Sequence, residues 1–537
     1  MRSGTKRYAL ALGLTALWWV VPPTEAQPTA DNQYEQAWVA KYAGQFSSID
    51  WITDLVVRDG SVYITGHESQ FTSYYTTVKY DYDGQVLWLQ RYEDGPSQAQ
   101  AMAVDAAGNA YVTGWQSSGG DIDVVTLKYD PDGEVLWTRR FESAGGNNQP
   151  NDMEIDEASG DIYIAGASWV TAQEDFDVLL LKYDFDGNLL WERTLDNGDG
   201  QLDTAYQLAL DSTGNAVVAG FTEPDAYLAK YSPTGDLLWQ NEREGFSTND
   251  EWRRVETDAE GNINVLGAIS PPGPTNHLWT SKYDPDGNVL WERTYTGTAD
   301  QACYAGGLAL MPDGGVVISG QSWDSPNHIS IVTIRYAPDG TELWRRLEKG
   351  GYQHASGDDV AVDADGRIYV TGYGYNYTNW ENIITLGYSP DGELLWNQIY
   401  ASPVPEHSDY PQAIAVDEAA NVFVAAHSWT GNGDDYTTIR YTPADDGGGG
   451  VPCEEVRRFR AICQGQIGFP YILTGVQLDD TSHDGETVTF SIDGYNYATT
   501  VVGRRAKLEV HGVAEGTHAV TLTDPGQCVP PEEVACE

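Results

Sequence analysis

The chain has 537 residues, 80 acidic against 30 basic, and a formal charge of −50. A pI near 4.2 excludes the clustered Lys and Arg that a nucleic-acid partner needs, and it disfavours docking on anionic lipid. Hydrophobic residues at 41 % supply a sizeable core and exclude a disordered chain, while 57 Gly suit a turn-rich all-β protein.

Residues 1–26 read as a signal peptide. Arg2, Lys6 and Arg7 precede an apolar run from Tyr8 to Val21, and Thr24-Glu25-Ala26 offers small residues at a cleavage site. The expected address is therefore secreted: extracellular, periplasmic or at the cell surface of a bacterium. No later stretch reaches 18 uninterrupted apolar residues, so no membrane span is expected. Few Lys and abundant Asp suit a surface that stays hydrated in salt.

A Trp then recurs at Trp38, Trp88, Trp137, Trp191, Trp239, Trp291, Trp344 and Trp396, at intervals of 48 to 54 residues. LKYDPDGEVLW ends at Trp137, and LKYDFDGNLLW ends at Trp191. A second phrase lies between the Trps, as in AMAVDAAGNAYVTG from Ala101 and DVAVDADGRIYVTG from Asp359. Each phrase is an apolar or alternating run either side of an Asp-, Pro-, Asn- and Gly-rich turn, which predicts a β-hairpin. Two hairpins give four short strands per unit, the pattern of propeller blades. Eight "AVD"-type strands are present. The last unit lacks its Trp strand, and the Trp38 strand stands alone at the front. Circular closure resolves both facts: Trp38 supplies the outer strand of the last blade and removes two open edges. The expectation is an all-β, eight-bladed β-propeller over residues 27–446, closed by the N-terminal strand, with seven blades as the alternative.

The paired phrases resemble the secreted bacterial β-propeller repeat family (SBBP) over roughly Trp38 to Gly447. They are more weakly similar to the Trp-bearing blades of quinoprotein-like propellers. The resemblance implies a propeller scaffold outside the cytoplasm and carries over no catalytic residue. That family is commonly described as seven-bladed, from which eight units depart.

Residues 447–452 form a Gly-rich linker, and 453–537 alternate in a way that suggests a small β-sandwich. Cys453, Cys463, Cys528 and Cys536 bracket this module and read as two disulfides, with all three pairings open and zinc as the alternative. Cys303 is left over as a buried free thiol.

Candidate chemistry lies in the loops of one face. Aromatics cluster just after each second strand: Trp115, Trp169, Phe221, Trp323, Tyr373, Tyr375, Trp380 and Trp429. Beside Asn, Asp and Gln they suit stacking on carbohydrate or peptide; otherwise they cap the blades. A second series, Asp50, Asn148, Asp203, Asp250 and Asp409, is expected at the channel mouth on that face, as a cation site or as loop caps. His67 and His427 become neighbours on closure, with His354 and His407 nearby. The Asp of each "AVD" turn is expected to bond its own turn amides. The Asp-x-Asp-Gly turns at Asp81, Asp130, Asp184 and Asp284 resemble the start of a calcium loop but lack its later ligands. The reading is a monomeric, non-catalytic propeller that binds an extracellular carbohydrate or protein, with calcium as its one candidate cofactor. The rivals are an enzyme of polysaccharide (lyase or glycosidase), a quinone-dependent dehydrogenase, and an envelope assembly scaffold.

Overall fold

The computed structural model describes residues 34–443, apart from short connecting stretches, and the strand backbone within 456–536. The signal peptide and the linker lie outside the described residues. Strands alone build the described chain. They form eight four-stranded antiparallel units, each with its first strand innermost. The second unit is typical: Ser97–Val104, Ala110–Ser118, Asp121–Tyr129 and Val135–Phe141 follow one another outwards. The eighth is composite. Asp409–Val416, Val422–Trp429 and Asp434–Pro443 take Tyr34–Tyr42 as their outer strand. Its register runs from Tyr34 opposite Pro443 to Tyr42 opposite Tyr436. The ring is therefore an eight-bladed propeller closed by its own N-terminal strand.

The blades hold together because the repeat's two invariant features meet. In the Asp-Pro-Asp-Gly turns the Gly takes a φ between +77° and +90°, a left-handed conformation that other residues adopt at a cost. The same Gly also lies under a Trp. A Cβ on Gly133 would come within 2.7 Å of Trp88, and one on Gly287 within 2.8 Å of Trp239. The indole N–H of every repeat Trp but Trp396 donates to a carbonyl in the next blade's turn, from Trp38 to Tyr82 at 2.7 Å and from Trp88 to Pro131 at 3.0 Å. A Lys opposite the Trp often donates to the same oxygen, as Lys79 does to Pro131 and Lys182 to Pro233. Each outer strand is thus clamped to the following turn.

One seam differs. Gly387 stands where other blades carry Lys or Arg, and Trp396 folds over it. Trp396 stacks on Tyr34, with centroids 4.7 Å apart, and Tyr34 shares a 2.7 Å hydrogen bond with Tyr369. The N-terminal strand therefore closes the joint between blades seven and eight, where the chain leaves for the tail. Between blades, layers of Val, Ile, Leu and Tyr form one apolar cluster per seam.

The tail forms two further sheets, of three and four strands between Val456 and Cys536. Its strand Tyr495–Thr500 lies against the outer strand Leu394–Tyr400 of blade seven. The four-cysteine expectation falls outside the described side chains. Cys303 is free and buried.

Candidate functional site at the channel mouth

Every inner strand breaks register at the same place, two residues opposing one. Such bulges re-aim side chains and are common at sites. The bulge residues include Thr53, Asn151, Arg253, Asp358 and Gln412. Next to them, four residues before the turn Asp, come Asp152, Gln207, Arg254 and Asp359; Asp54 is their counterpart in blade one. These side chains tie adjacent blades. Asp54 accepts from the Met102 amide at 2.7 Å, Asp152 from Leu208 at 2.8 Å, Gln207 from Val255 at 2.8 Å and Asp359 from Ile414 at 3.0 Å.

Their charges also meet across the axis. Asp54 of blade one feels Asp359 of blade seven, and Asp152 of blade three feels Asp54. Glu256 of blade five feels both Asp152 and Asp359. Non-adjacent blades interact in this way only through the central channel. Its wall therefore carries Asp54, Asp152, Glu154, Glu256, Asp358 and Asp359 around Arg254. Confinement within the ring raises five of these carboxyls, reinforced in most by their acidic neighbours, Asp54 to about 6 and Asp152 and Glu256 to about 7, while Glu154 on the same wall is open to solvent.

At the mouth the wall opens into a cavity of about 240 Å³. Arg254, Asp358, Tyr373, Tyr410 and Gln412 line it, with Ala305 and Gly306 of blade six leaving the room. Tyr373 and Tyr410 meet edge to face at 5.2 Å, and a row of rings continues outwards on both sides. On one side Tyr410 leads to His427 at 5.3 Å and to Trp51 at 4.4 Å beyond. On the other, Tyr373 leads to Tyr375 at 6.5 Å and to His354 at 4.8 Å beyond. Further out, His407 lies between Trp429 (4.4 Å) and Trp380 (6.1 Å), and Trp380 is half exposed.

Of the eight aromatics singled out from the sequence, Tyr373, Tyr375, Trp380 and Trp429 fall on this side of the face, whereas Phe221 stands on blade four against Tyr206 at 5.6 Å. Trp115, Trp169 and Trp323 stand on blades two, three and six, away from the row; Trp169 packs on Phe176 at 5.0 Å. The Asp series is not at the channel mouth. Asp50, Asn148, Asp203, Asp250 and Asp409 are almost wholly buried. They pin loops to strands: Asp250 accepts from the Ser270 amide, Asn148 from the Ser168 hydroxyl and Asp409 from the Ser402 amide. The reason is register. These residues precede the bulge by two or more positions, so they point into the blade rather than at the axis. Among the described residues no three His, Cys, Asp or Glu side chains gather to hold a metal. The turn Asp side chains bond their own turns, as Asp105 does with the Ala107 and Asn109 amides. Asp81 and Asp284 do the same in the Asp-x-Asp-Gly turns. His67 and His427 are close enough to interact, and burial pushes both down to about 4.

Sequence reading missed Trp51, Tyr410, Arg254 and the channel carboxyls. A usable signal existed for the last. Aligning the repeat on its turn Asp places Asp152, Arg254 and Asp359 in one column otherwise held by Ala, Gln and Gly.

Fold and site define a β-propeller with its polar chemistry at the axis. A family model described as outer membrane protein assembly factor BamB, a quinoprotein-like propeller repeat, matches residues 76–265. An uncharacterized WD repeat-containing protein of Acanthamoeba polyphaga mimivirus, L264, is 25 % identical over 180 residues, 34 % of this chain. The match spans only 11 % of that relative's length. Among solved structures, Sqt1 of Chaetomium thermophilum matches 77 % of this chain and 99 % of its own, at 11 % identity and a TM-score of 0.51. The polysaccharide lyase Uly1 matches 76 % and 100 %, at 11 % identity and a TM-score of 0.43. These likenesses describe the scaffold.

Proposed function

We propose that this chain is an exported propeller that binds an extracellular glycan on the face where its second strands end. One observation carries the reading: the row of rings from Trp51 to Tyr375 converges on the cavity at the channel mouth. Flat apolar faces beside polar groups suit the stacked, hydrogen-bonded recognition of a sugar ring. The Trp380–His407–Trp429 stack extends that surface outwards for a further unit of a polymer. The acidic body keeps the molecule soluble and turns polyanions away. Binding needs no catalysis. The tail then serves as an attachment module on the outside of blade seven.

The test is a glycan array probed with the full chain and with a Trp380→Ala/Trp429→Ala double variant. The expected result is a loss of about tenfold or more in affinity, roughly 1.4 kcal/mol. Unchanged binding by the double variant removes the ligand face. An enzyme on the same face has one point in its favour, because confined carboxyls with raised pKa are how general acids are made. Release of reducing ends from any bound oligosaccharide would move the reading to hydrolysis.

A further inference from the structure

The cavity's electrostatics say which sugar it takes, on the reading that the face binds a glycan. Asp358 lines the cavity, and its Oδ2 is buried with no hydrogen-bond partner. An orphaned acceptor of this kind is destabilising unless a ligand supplies a donor. Sugars offer hydroxyl, N-acetyl amide and amine donors, and only the protonated amine is cationic. The field around the cavity chooses between them. Six carboxyl groups share the channel with one guanidinium, and the field of Arg254 is already spread over Asp152, Asp358 and Asp359. A uronic or sulfated sugar meets net repulsion there. A hydroxyl satisfies Oδ2 but leaves the excess negative charge in place. An ammonium does both, and the rings of Tyr373 and Tyr410 give it an aromatic wall.

We propose that the channel mouth is a subsite for the free amino group of an amino sugar, held by Asp358 between Tyr373 and Tyr410. The site is built by the bulge that turns Asp358 inwards and by Ala305 and Gly306, which leave the space. A second consequence is proton exchange. Burial, with Asp359 beside it, raises Asp358, and Arg254 only partly opposes this. The charged groups facing it are Asp359 on its own strand and Arg254 across the cavity, with the Tyr373 hydroxyl on the next strand. An ammonium beside Asp358 opposes that rise, so its binding is linked to proton release wherever Asp358 titrates.

The experiment titrates the full chain with three probes of equal length: glucosamine oligomers, their N-acetylated forms, and a glucuronate-containing oligomer. Salt near 0.5 M suppresses the pull of the overall charge. Calorimetry in two buffers of different ionisation enthalpy counts protons. The expected result is that the free-amine oligomer binds about tenfold tighter than the acetylated one, with proton release, and the acidic oligomer binds weakest. Asp358→Asn puts a neutral amide of the same shape in place of one carboxyl on a crowded wall, so a thermal melt should show it folded. In this variant the preference and the proton release should both disappear. Equal affinity for amine and N-acetyl forms, both lost in the Trp380/Trp429 double variant, overturns this inference and leaves the glycan reading standing. A preference that survives in Asp358→Asn also overturns it. No binding by any oligomer overturns both.

Discussion

At the scale of residues, the propeller depends on a Trp and a Gly that are about fifty positions apart. The Gly of each Asp-Pro-Asp-Gly turn does two jobs, and the two can be separated. Gly60 also has a positive φ, +76°, but a Cβ there meets nothing within 4 Å. Gly133 has φ +90° and Trp88 at 2.7 Å. Gly60→Ala should therefore show only the backbone cost. Gly133→Ala should add overpacking of about 1–3 kcal/mol, read by denaturant melts. Equal losses would mean that the indole moves aside and the clamp is loose. The sequence announced the turn and the ring but not their contact. Local spacing shows what each residue does to its own hairpin and says nothing of the neighbouring blade.

At the scale of elements, closure rests on Tyr34–Tyr42. That strand pairs with Asp434–Pro443, donates the Trp38 indole N–H to Tyr82 in blade one, and stacks Tyr34 on Trp396 in blade seven. It therefore touches three blades. Deleting residues 27–48 should bare the edge of Asp434–Pro443, remove the partly buried Trp38 clamp and the buried Tyr34 ring, and cost at least about 3 kcal/mol. The measurement is a thermal melt, with a lower and broader transition expected. A deletion variant that melts like the parent would show that blade eight stands on three strands. This closure was legible because the strands could be counted, leaving one over at the front and one missing at the back. The bulges were not legible, since one extra residue per inner strand leaves the apolar alternation almost intact. That single offset sends Asp50 and Asp409 into the blades and turns Asp358 to the cavity, which is why the acidic series was expected in the wrong place.

At the scale of the whole molecule, the ring concentrates charge at its axis, and this sets a pH dependence with a definite sign. Asp152 is raised to about 7 by burial and by Asp54, Glu256 to about 7 by burial and by Asp152 and Asp359, and Asp54 to about 6 by burial and by Asp359. Unfolded carboxyls titrate near 4, so between about 4 and 7 the folded state binds the extra protons. Stability from these groups is therefore full in acid and is lost as pH rises through 7. His67 and His427 run the other way. Burial lowers them to about 4, so their contribution is lost as pH falls from about 6.5. Above pH 6.5 the two histidines shed only the remaining half of their unfolded-state protons, and the larger loss from the raised carboxyls outweighs their gain. The Tm should fall between pH 6.5 and 8, by an amount equivalent to on the order of 1 kcal/mol per fully confined carboxyl. Glu256→Gln, combined with Asp152→Asn, should flatten that decline. The double variant should also be at least as stable as the parent at pH 8, since it removes two charges from the wall while keeping an amide that can accept from Leu208. A parent whose Tm stays level from pH 6.5 to 8 would mean that water in the channel already solvates these groups. The field assigned to the cavity above Asp358 would then be too weak to select an amine.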